Sequence, residues 1–246
     1  MDFSNINAIG IIPSRYNSSR FPGKPLADIK GKSMVQRVYE QATKAKLLSQ
    51  VFIATDDERI FEHAKTFTNN VLMTSDKHLN GTERVAEAVD ILKSMNINVN
   101  LVVNIQGDEP YIAPEQIDGV LSVLIENDNA DIATLVKKIA YDDACNYNKV
   151  KAVLGESGRA LYFSRQAIPH NKQPEKIEYL KHVGLYAYRA NILKEIVKLQ
   201  PTPLELSESL EQLRWLENNY NIYAEFTEYE TLSVDAPEDL EGLFLP

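Results

Sequence analysis

The sequence contains one cysteine, Cys145, so no internal disulfide can form, and a reducing compartment is expected. No apolar run approaches the ~20 residues needed to cross a bilayer. The first ten residues carry Asp2 and no basic stretch, and their apolar run stops at Pro13, so they do not read as a signal peptide. Basic residues are in the minority, 26 Lys and Arg against 35 Asp and Glu, and the net charge of −9 argues against a dedicated nucleic-acid binder. It leaves room for a local basic site. The four histidines, His63, His78, His170 and His182, show no metal-ligand spacing. The nucleophile pattern Gly-x-Ser-x-Gly is missing, because in Gly155-Glu156-Ser157-Gly158 the second glycine comes one position early. There is no internal repeat, low-complexity tract or Gly/Ser/Pro-rich linker. A chain of 246 residues, 44% hydrophobic and 25% charged, can bury a sizeable core unaided. The expectation is a cytoplasmic protein with neither membrane nor nucleic acid as partner.

Short β runs alternate with amphipathic stretches through the first half. Residues 8–13 read as a buried strand, 51–55 as a second, 71–74 as a third and 101–106 as a fourth. Between them, helical patterns cover 33–47 and 81–95. Ser33 with Gln36, and Thr55 with Glu58, have the spacing of capping boxes. Pro114 suits the first turn of a further helix. Such a series implies an α/β fold with a mostly parallel sheet covered by helices on both faces. After about Ala130 the pattern changes. Residues 131–138, 151–154, 161–163 and 182–188 read as strands, whereas 164–181 lacks a period and contains Pro169 and Pro174. Helical patterns return at 190–199 and 206–217, followed by a strand at 222–226 and a final helix from Pro237. The reading is a single domain, 1–246, with a β-rich excursion at about 155–190.

In open parallel sheets, ligands bind beyond the carboxyl ends of the strands. The loop after the first strand, Ser14 to Lys24, holds three cations, Arg15, Arg20 and Lys24, and no acid. Bidentate arginines and a point-charge lysine suit a polyphosphate; the plainer reading is a solvated basic loop. It is no Walker A motif, because Pro25 follows Lys24 and no glycine stands five residues before Gly23. The Gly-x-Gly-x-x-Gly of dinucleotide-binding dehydrogenases is missing as well. A second site candidate is Gln106-Gly107-Asp108-Glu109-Pro110, where a carboxylate at a strand end beside glycine is placed to hold Mg²⁺. Asp108 is otherwise a turn residue. Asp235 is the candidate second ligand, with a helix N-cap as its alternative.

On a helix over 206–217, Leu206, Leu210, Leu213 and Leu216 form one stripe, with Glu208, Glu211, Gln212 and Trp215 opposite. A tryptophan on a charged face calls for a cover, whether a ligand, another segment, a second subunit or simply a nearby loop. Arg165 ends one expected strand and His182 opens another. They form a carboxylate site if they share a cavity, and are two structural polar residues otherwise.

Taken in order, several segments resemble the 3-deoxy-manno-octulosonate (Kdo) cytidylyltransferases. They are Ile11-Ile12-Pro13-Ser14-Arg15-Tyr16, Ser19-Arg20-Phe21-Pro22-Gly23-Lys24-Pro25-Leu26, Ala54-Thr55-Asp56-Asp57, Gly81-Thr82-Glu83-Arg84, Asn104-Ile105-Gln106-Gly107-Asp108-Glu109-Pro110, Tyr162-Phe163-Ser164-Arg165, His182-Val183-Gly184-Leu185-Tyr186, Leu210-Glu211-Gln212-Leu213-Arg214 and Val234-Asp235. Ser14, Asn80 and Ser233 depart from the family's usual Ala, Ser and Gly, and 168–182 is shorter than in many members. The resemblance implies a Rossmann-like nucleotidyltransferase fold and the formation of CMP-Kdo and pyrophosphate from CTP and Kdo for lipopolysaccharide assembly. It implies that Arg15, Arg20 and Lys24 bind the triphosphate, with Gly81, Thr82 and Gln106 near the base. Asp108 and Asp235 would hold Mg²⁺, with a second ion carried on the triphosphate, and Arg15, Lys24, Asp108 and Asp235 would be the catalytic set. Arg165, His182, Tyr186, Glu211 and Gln212 would line the sugar-acid site. A homodimer is implied, with 164–181 near its interface. The rivals are a transferase using 8-amino-Kdo or another sugar acid, a non-catalytic nucleotide-binding regulator, and a dehydrogenase.

Overall fold

A computed structural model describes residues 6–17, 20–173, 178–230, 232–240 and 243. The chain divides into two compact units, Met1–Asp118 with Glu230–Pro246, and Gly119–Tyr229. The excursion expected at about 155–190 falls within the second unit, which is much larger than the excursion itself.

In the first unit, β1 (Ala8–Ser14) leads through two short strands, β2 (Asp28–Ile29) and β3 (Lys32–Ser33), into α1 (Met34–Ala42). Then come β4 (Gln50–Thr55), α2 (Glu58–Lys65), β5 (Val71–Met73), α3 (Gly81–Ser94) and β6 (Leu101–Asn104). The large strands are parallel, in the order β6-β1-β4-β5. Ile9, Ile11 and Ile12 are completely buried, as expected for a strand covered on both faces. The chain winds outward from β1 to β4 and β5, then returns to β6 on β1's other side. That reversal opens a crevice at the carboxyl ends of β1 and β6.

Two helix starts differ from expectation. Ser33 caps α1 by accepting from Gln36 N, but the reciprocal bond of a capping box is not made, because Gln36 Nε2 donates to Glu40. Asp57, not Thr55, caps α2: its carboxylate accepts from Arg59 N, and Thr55 Oγ1 instead accepts from Asp57 N. A carboxylate one residue from the helix outcompetes the more distant hydroxyl. The helix expected over 33–47 ends at Ala42.

Helix α4 (Pro114–Glu126) straddles the division between the units. The second unit continues with β7 (Ile132–Ile139), α5 (Tyr141–Ala144), β8 (Lys151–Leu154), β9 (Ala160–Ser164), β10 (Tyr179–Arg189), α6 (Ala190–Ile196), α7 (Pro203–Glu208), α8 (Glu211–Glu217) and β11 (Ile222–Phe226). β7 pairs parallel with β11 and antiparallel with β10, and β8 pairs antiparallel with β10 and β9. The β10–β7 register slips between Val183 and Ala187. Residues 174–177 of the expected excursion lie outside the described ones.

The helix expected over 206–217 is two helices, broken at Ser209 in the left-handed conformation (φ 53°, ψ 50°). The break dissolves the leucine stripe. Leu206 is 69% exposed, whereas Leu213 and Trp215 are buried. Trp215 packs edge-on against Tyr186 and Tyr188 of β10, so the cover its position called for comes from the unit's own sheet. The break is held by Arg214, whose Nη2 and Nε donate to the Glu205 carboxylate at 2.5 and 2.7 Å. The helix expected from Pro237 is a single 3-10 turn, Pro237–Leu240. Among the described residues no helix is long and apolar enough to cross a membrane.

Candidate active site

The crevice at the ends of β1 and β6 is a cavity of about 380 Å³. Of the residues singled out for a nucleotide, Arg15, Arg20, Lys24, Gly81, Gln106, Asp108 and Asp235 line it. Thr82 does not. It is buried in the first turn of α3, and Arg84, three residues on from Gly81, reaches the wall instead.

The basic loop is shaped by Gly23, whose φ of +76° is a conformation that L side chains rarely adopt. Gly23 N donates to Tyr16 O at 2.9 Å, closing the loop. The Arg59 guanidinium stacks 3.3 Å over the Tyr16 ring, and the Asp57 carboxylate grips Arg59 through Nε and Nη2. The capping residue of α2 thus anchors the loop from below. On the opposite wall, Gly107 lies so close to β1 that a Cβ would come within 2.9 Å of Pro13 O. Only glycine lets the strand-end turn carrying Asp108 approach β1 this closely.

Asp108 and Asp235 are 127 positions apart in sequence, and a backbone bond brings their segments together, with Val234 N donating to Asp108 O at 2.9 Å. Val234 is fully buried in a cluster with Ile29, Met34 and Leu243. Asp235 is not the cap of the final turn. Asp239 takes that place, its Oδ2 accepting from Asp235 N at 2.7 Å and Ala236 N at 2.9 Å. Those amides, Ala236 foremost, hold the Asp239 carboxyl below its usual range. The Asp235 carboxylate is left facing the cavity, where Arg20 Nη2 donates to it at 3.2 Å. Lys24 Nζ lies 2.8 Å from Asp108 Oδ2, 3.9 Å from Asp235 Oδ1 and 2.9 Å from Val234 O. Two carboxylates therefore converge on one cation. Among the described residues no group of three or more His, Cys, Asp or Glu side chains is placed to hold a metal. A divalent ion would find one or two carboxylates here, a donor set that suits Mg²⁺ once substrate phosphates supply further oxygens.

Sequence reasoning missed Arg84. Its guanidinium is nearly fully buried, pairs with Asp56 at 3.3 Å and donates to Thr74 Oγ1 at 2.6 Å and Ser75 O at 3.2 Å. A helix-face arginine reads as solvated, and only its tertiary contacts with Asp56, Thr74 and Ser75, just past the ends of β4 and β5, take it out of water.

The five residues assigned to a sugar acid all lie in the second unit. The His182 ring packs edge-on against Phe163 and tilted against Tyr186, with centroids 5.0 and 5.4 Å away. Burial lowers its pKa to about 3, so the imidazole is neutral near pH 7. Burial, reinforced by Tyr188 and Glu211, raises the Tyr186 phenol well above its ordinary value and keeps it a proton donor. Tyr186 Oη and Gln212 Nε2 are buried without a hydrogen-bond partner. Such orphans are uncommon and leave directional capacity for a polyhydroxylated ligand. Glu211 precedes Gln212 at the start of α8 and is half-buried. Arg165 is held differently from the strand-end alternatives. Its Nε, Nη1 and Nη2 donate to the carbonyls of Glu208, Tyr147 and Ser209 at 2.8, 3.3 and 3.4 Å. Of five N–H groups, two remain for a ligand carboxylate.

Three further residues outside the expected sugar-binding set shape this region. The Glu208 carboxylate accepts from Ser164 Oγ and Arg165 N at 2.6 and 2.9 Å. Lys151, completely buried in β8, donates to the Asn146 and Arg165 carbonyls at 2.9 and 2.6 Å, and burial lowers its pKa. Thr134, on β7, meets His182 Nε2 at 2.9 Å.

Residues 9–224 match the family model described as cytidylyltransferase. A 3-deoxy-manno-octulosonate cytidylyltransferase of Parabacteroides distasonis is 50% identical over 95% of each chain. The Cytophaga hutchinsonii protein of the same name is 44% identical over 96% of each. Among solved structures, a CMP:2-keto-3-deoxy-manno-octonic acid synthetase complexed with CTP superposes with a TM-score of 0.90 at 39% identity, covering 96% of both chains. On this agreement of sequence and fold, the chain belongs to the 3-deoxy-manno-octulosonate cytidylyltransferase family.

Proposed function

We propose that this protein transfers CMP from CTP to the anomeric 2-hydroxyl of Kdo, releasing pyrophosphate. The observation that carries the reading is the meeting of Lys24, Asp108 and Asp235 at the carboxyl ends of β1 and β6, in a cavity also lined by Arg15 and Arg20. Three cations offset the triphosphate charge. Arg15 and Lys24 act on the α-phosphate and the departing pyrophosphate, and Arg20 holds the outer phosphates. Gly81 and Gln106 lie beside the base. Arg165 pairs with the sugar carboxylate, while His182, Tyr186, Glu211 and Gln212 meet its hydroxyls. The 2-hydroxyl oxygen attacks the α-phosphorus, the bond to the β-phosphate oxygen breaks in line, and catalysis comes chiefly from positioning and charge stabilisation. Held by Asp108 and Asp235, Mg²⁺ would lower the hydroxyl's pKa and offset α-phosphate charge, with a second ion on the triphosphate. No side chain is then needed as general base.

The product would feed lipopolysaccharide assembly in the cytoplasm. The lone Cys145 and the absence of a bilayer-length apolar run support that compartment. A homodimer is supported by β9, which among the described strands pairs only with β8 and carries Leu161 at 57% exposure.

The test is pyrophosphate release with Mg²⁺, crossing four nucleotides with Kdo, 8-amino-Kdo and sialic acid. Release with CTP and Kdo is expected. Release only with 8-amino-Kdo would change the acceptor, and CTP binding without release under any pairing would favour a regulator.

A further inference from the structure

Where the β10–β7 register slips, Val183 pairs with Leu135 and Ala187 with Ala133, so Thr134 alone faces Gly184, Leu185 and Tyr186. A bulge of this kind displaces carbonyls from the ladder, and buried carbonyls require donors. The Thr134 hydroxyl is completely buried and points at two of them, Val183 O at 3.1 Å and Leu185 O at 3.0 Å. It also lies 2.9 Å from His182 Nε2. A hydroxyl has one proton and two lone pairs. With that proton shared between the two carbonyls, the oxygen can only accept from the imidazole. His182 Nε2 must then carry the ring proton, and Nδ1 must carry the lone pair.

We propose that Thr134 is a positioning residue that locks His182 as the Nε2–H tautomer, so that Nδ1 is presented as an acceptor to a hydroxyl of the acceptor sugar. This rests on the reading of His182 as a sugar-binding residue. Its consequence is chemical: at this position the ligand must donate. The neighbouring groups complement it, because the Tyr186 phenol and the Gln212 amide nitrogen are donors without partners and call for ligand acceptors. The burial that keeps the imidazole neutral preserves the Nδ1 lone pair at working pH.

The experiment pairs spectroscopy with kinetics on the full-length protein. Histidine is labelled with ¹⁵N, the His182 signals are assigned by their loss in His182→Gln, and the tautomer is read from long-range ¹H–¹⁵N correlations. The wild type should show Nε2–H. Thr134→Ser should retain it, and Thr134→Val should lose the preference. In the assay, Thr134→Val should raise KM for Kdo about tenfold, leave KM for CTP unchanged, and be rescued in Thr134→Ser. An Nδ1–H tautomer in the wild type, or an unchanged tautomer in Thr134→Val, overturns the proposal even if one variant folds poorly. If the tautomer changes but KM for Kdo moves neither in Thr134→Val nor in His182→Gln, the lock stands as structure while its role in sugar binding falls, and with it the sugar-site reading.

Discussion

At the scale of single residues, the site depends on charges whose partners are far away in sequence. Lys24 contacts Asp108 and Val234 O, and Arg20 contacts Asp235. If the two carboxylates hold the metal, Asp108→Ala and Asp235→Ala should each lower kcat by about a thousandfold or more with the fold intact by circular dichroism. Near-wild-type turnover in either would remove the metal assignment. Because the Lys24 ammonium lies against Asp108, Lys24→Met should lose turnover yet bind Mn²⁺ more tightly than the wild type in the absence of nucleotide, as read by electron paramagnetic resonance. His182 makes a separate prediction. Its folded pKa, about 3, lies below the ordinary 6.5, so the unfolded chain binds more protons between those values and stability falls as pH drops through that window. The slope from this residue alone is about 1.4 kcal/mol per pH unit. Urea unfolding of His182→Gln should therefore show a shallower acid dependence than the wild type between pH 6 and pH 4, with the difference vanishing above pH 7.

At the scale of elements, the clearest departure from periodicity is the break between α7 and α8. A 3.6-residue pattern placed Leu206 and Leu213 on one stripe, but Ser209 turns left-handed and the second helix takes a new direction. Nothing in the spacing of the leucines encodes that turn. The Glu205–Arg214 pair that stabilises it is legible only once both helices are seen side by side. Both side chains are mostly buried, 13% and 11% exposed, and the hydrogen bonds to Arg214 hold the Glu205 carboxyl below its usual range. Arg214→Met should destabilise the protein by about 3 kcal/mol, chiefly by stranding a buried carboxylate. Glu205→Gln in that background should recover much of the loss in chemical denaturation. The strands were more readable, because a run such as Ile9–Ile12 buried on both faces has few alternative conformations.

At the scale of the molecule, a protein of net charge −9 gathers Arg15, Arg20, Lys24 and Arg84 around one cavity. The local field there opposes the sign of the whole. Attraction between CTP and these cations is screened by salt, with a Debye length of about 10 Å at 0.1 M and about 3 Å at 1 M. The Kd for CTP should therefore rise several-fold between 0.05 and 0.5 M NaCl, measured calorimetrically. A flat response would mean that the triphosphate does not meet the loop.

The amino-acid sequence was enough to determine the α/β class, the parallel βαβ half, the basic loop after β1 and the acidic turn after β6. These follow from local periodicity, from strand-end position and from ordered motifs that keep their spacing. Tertiary structure alone decided that Asp239 takes the final turn's amides and leaves Asp235 facing the cavity, that Arg84 rather than Thr82 reaches its wall, that Trp215 is covered by Tyr186 and Tyr188, and that Thr134 faces His182 across a register slip. Each is a contact between segments distant in sequence. Which of several competing donors or side chains wins such a contact depends on packing geometry that no local pattern carries.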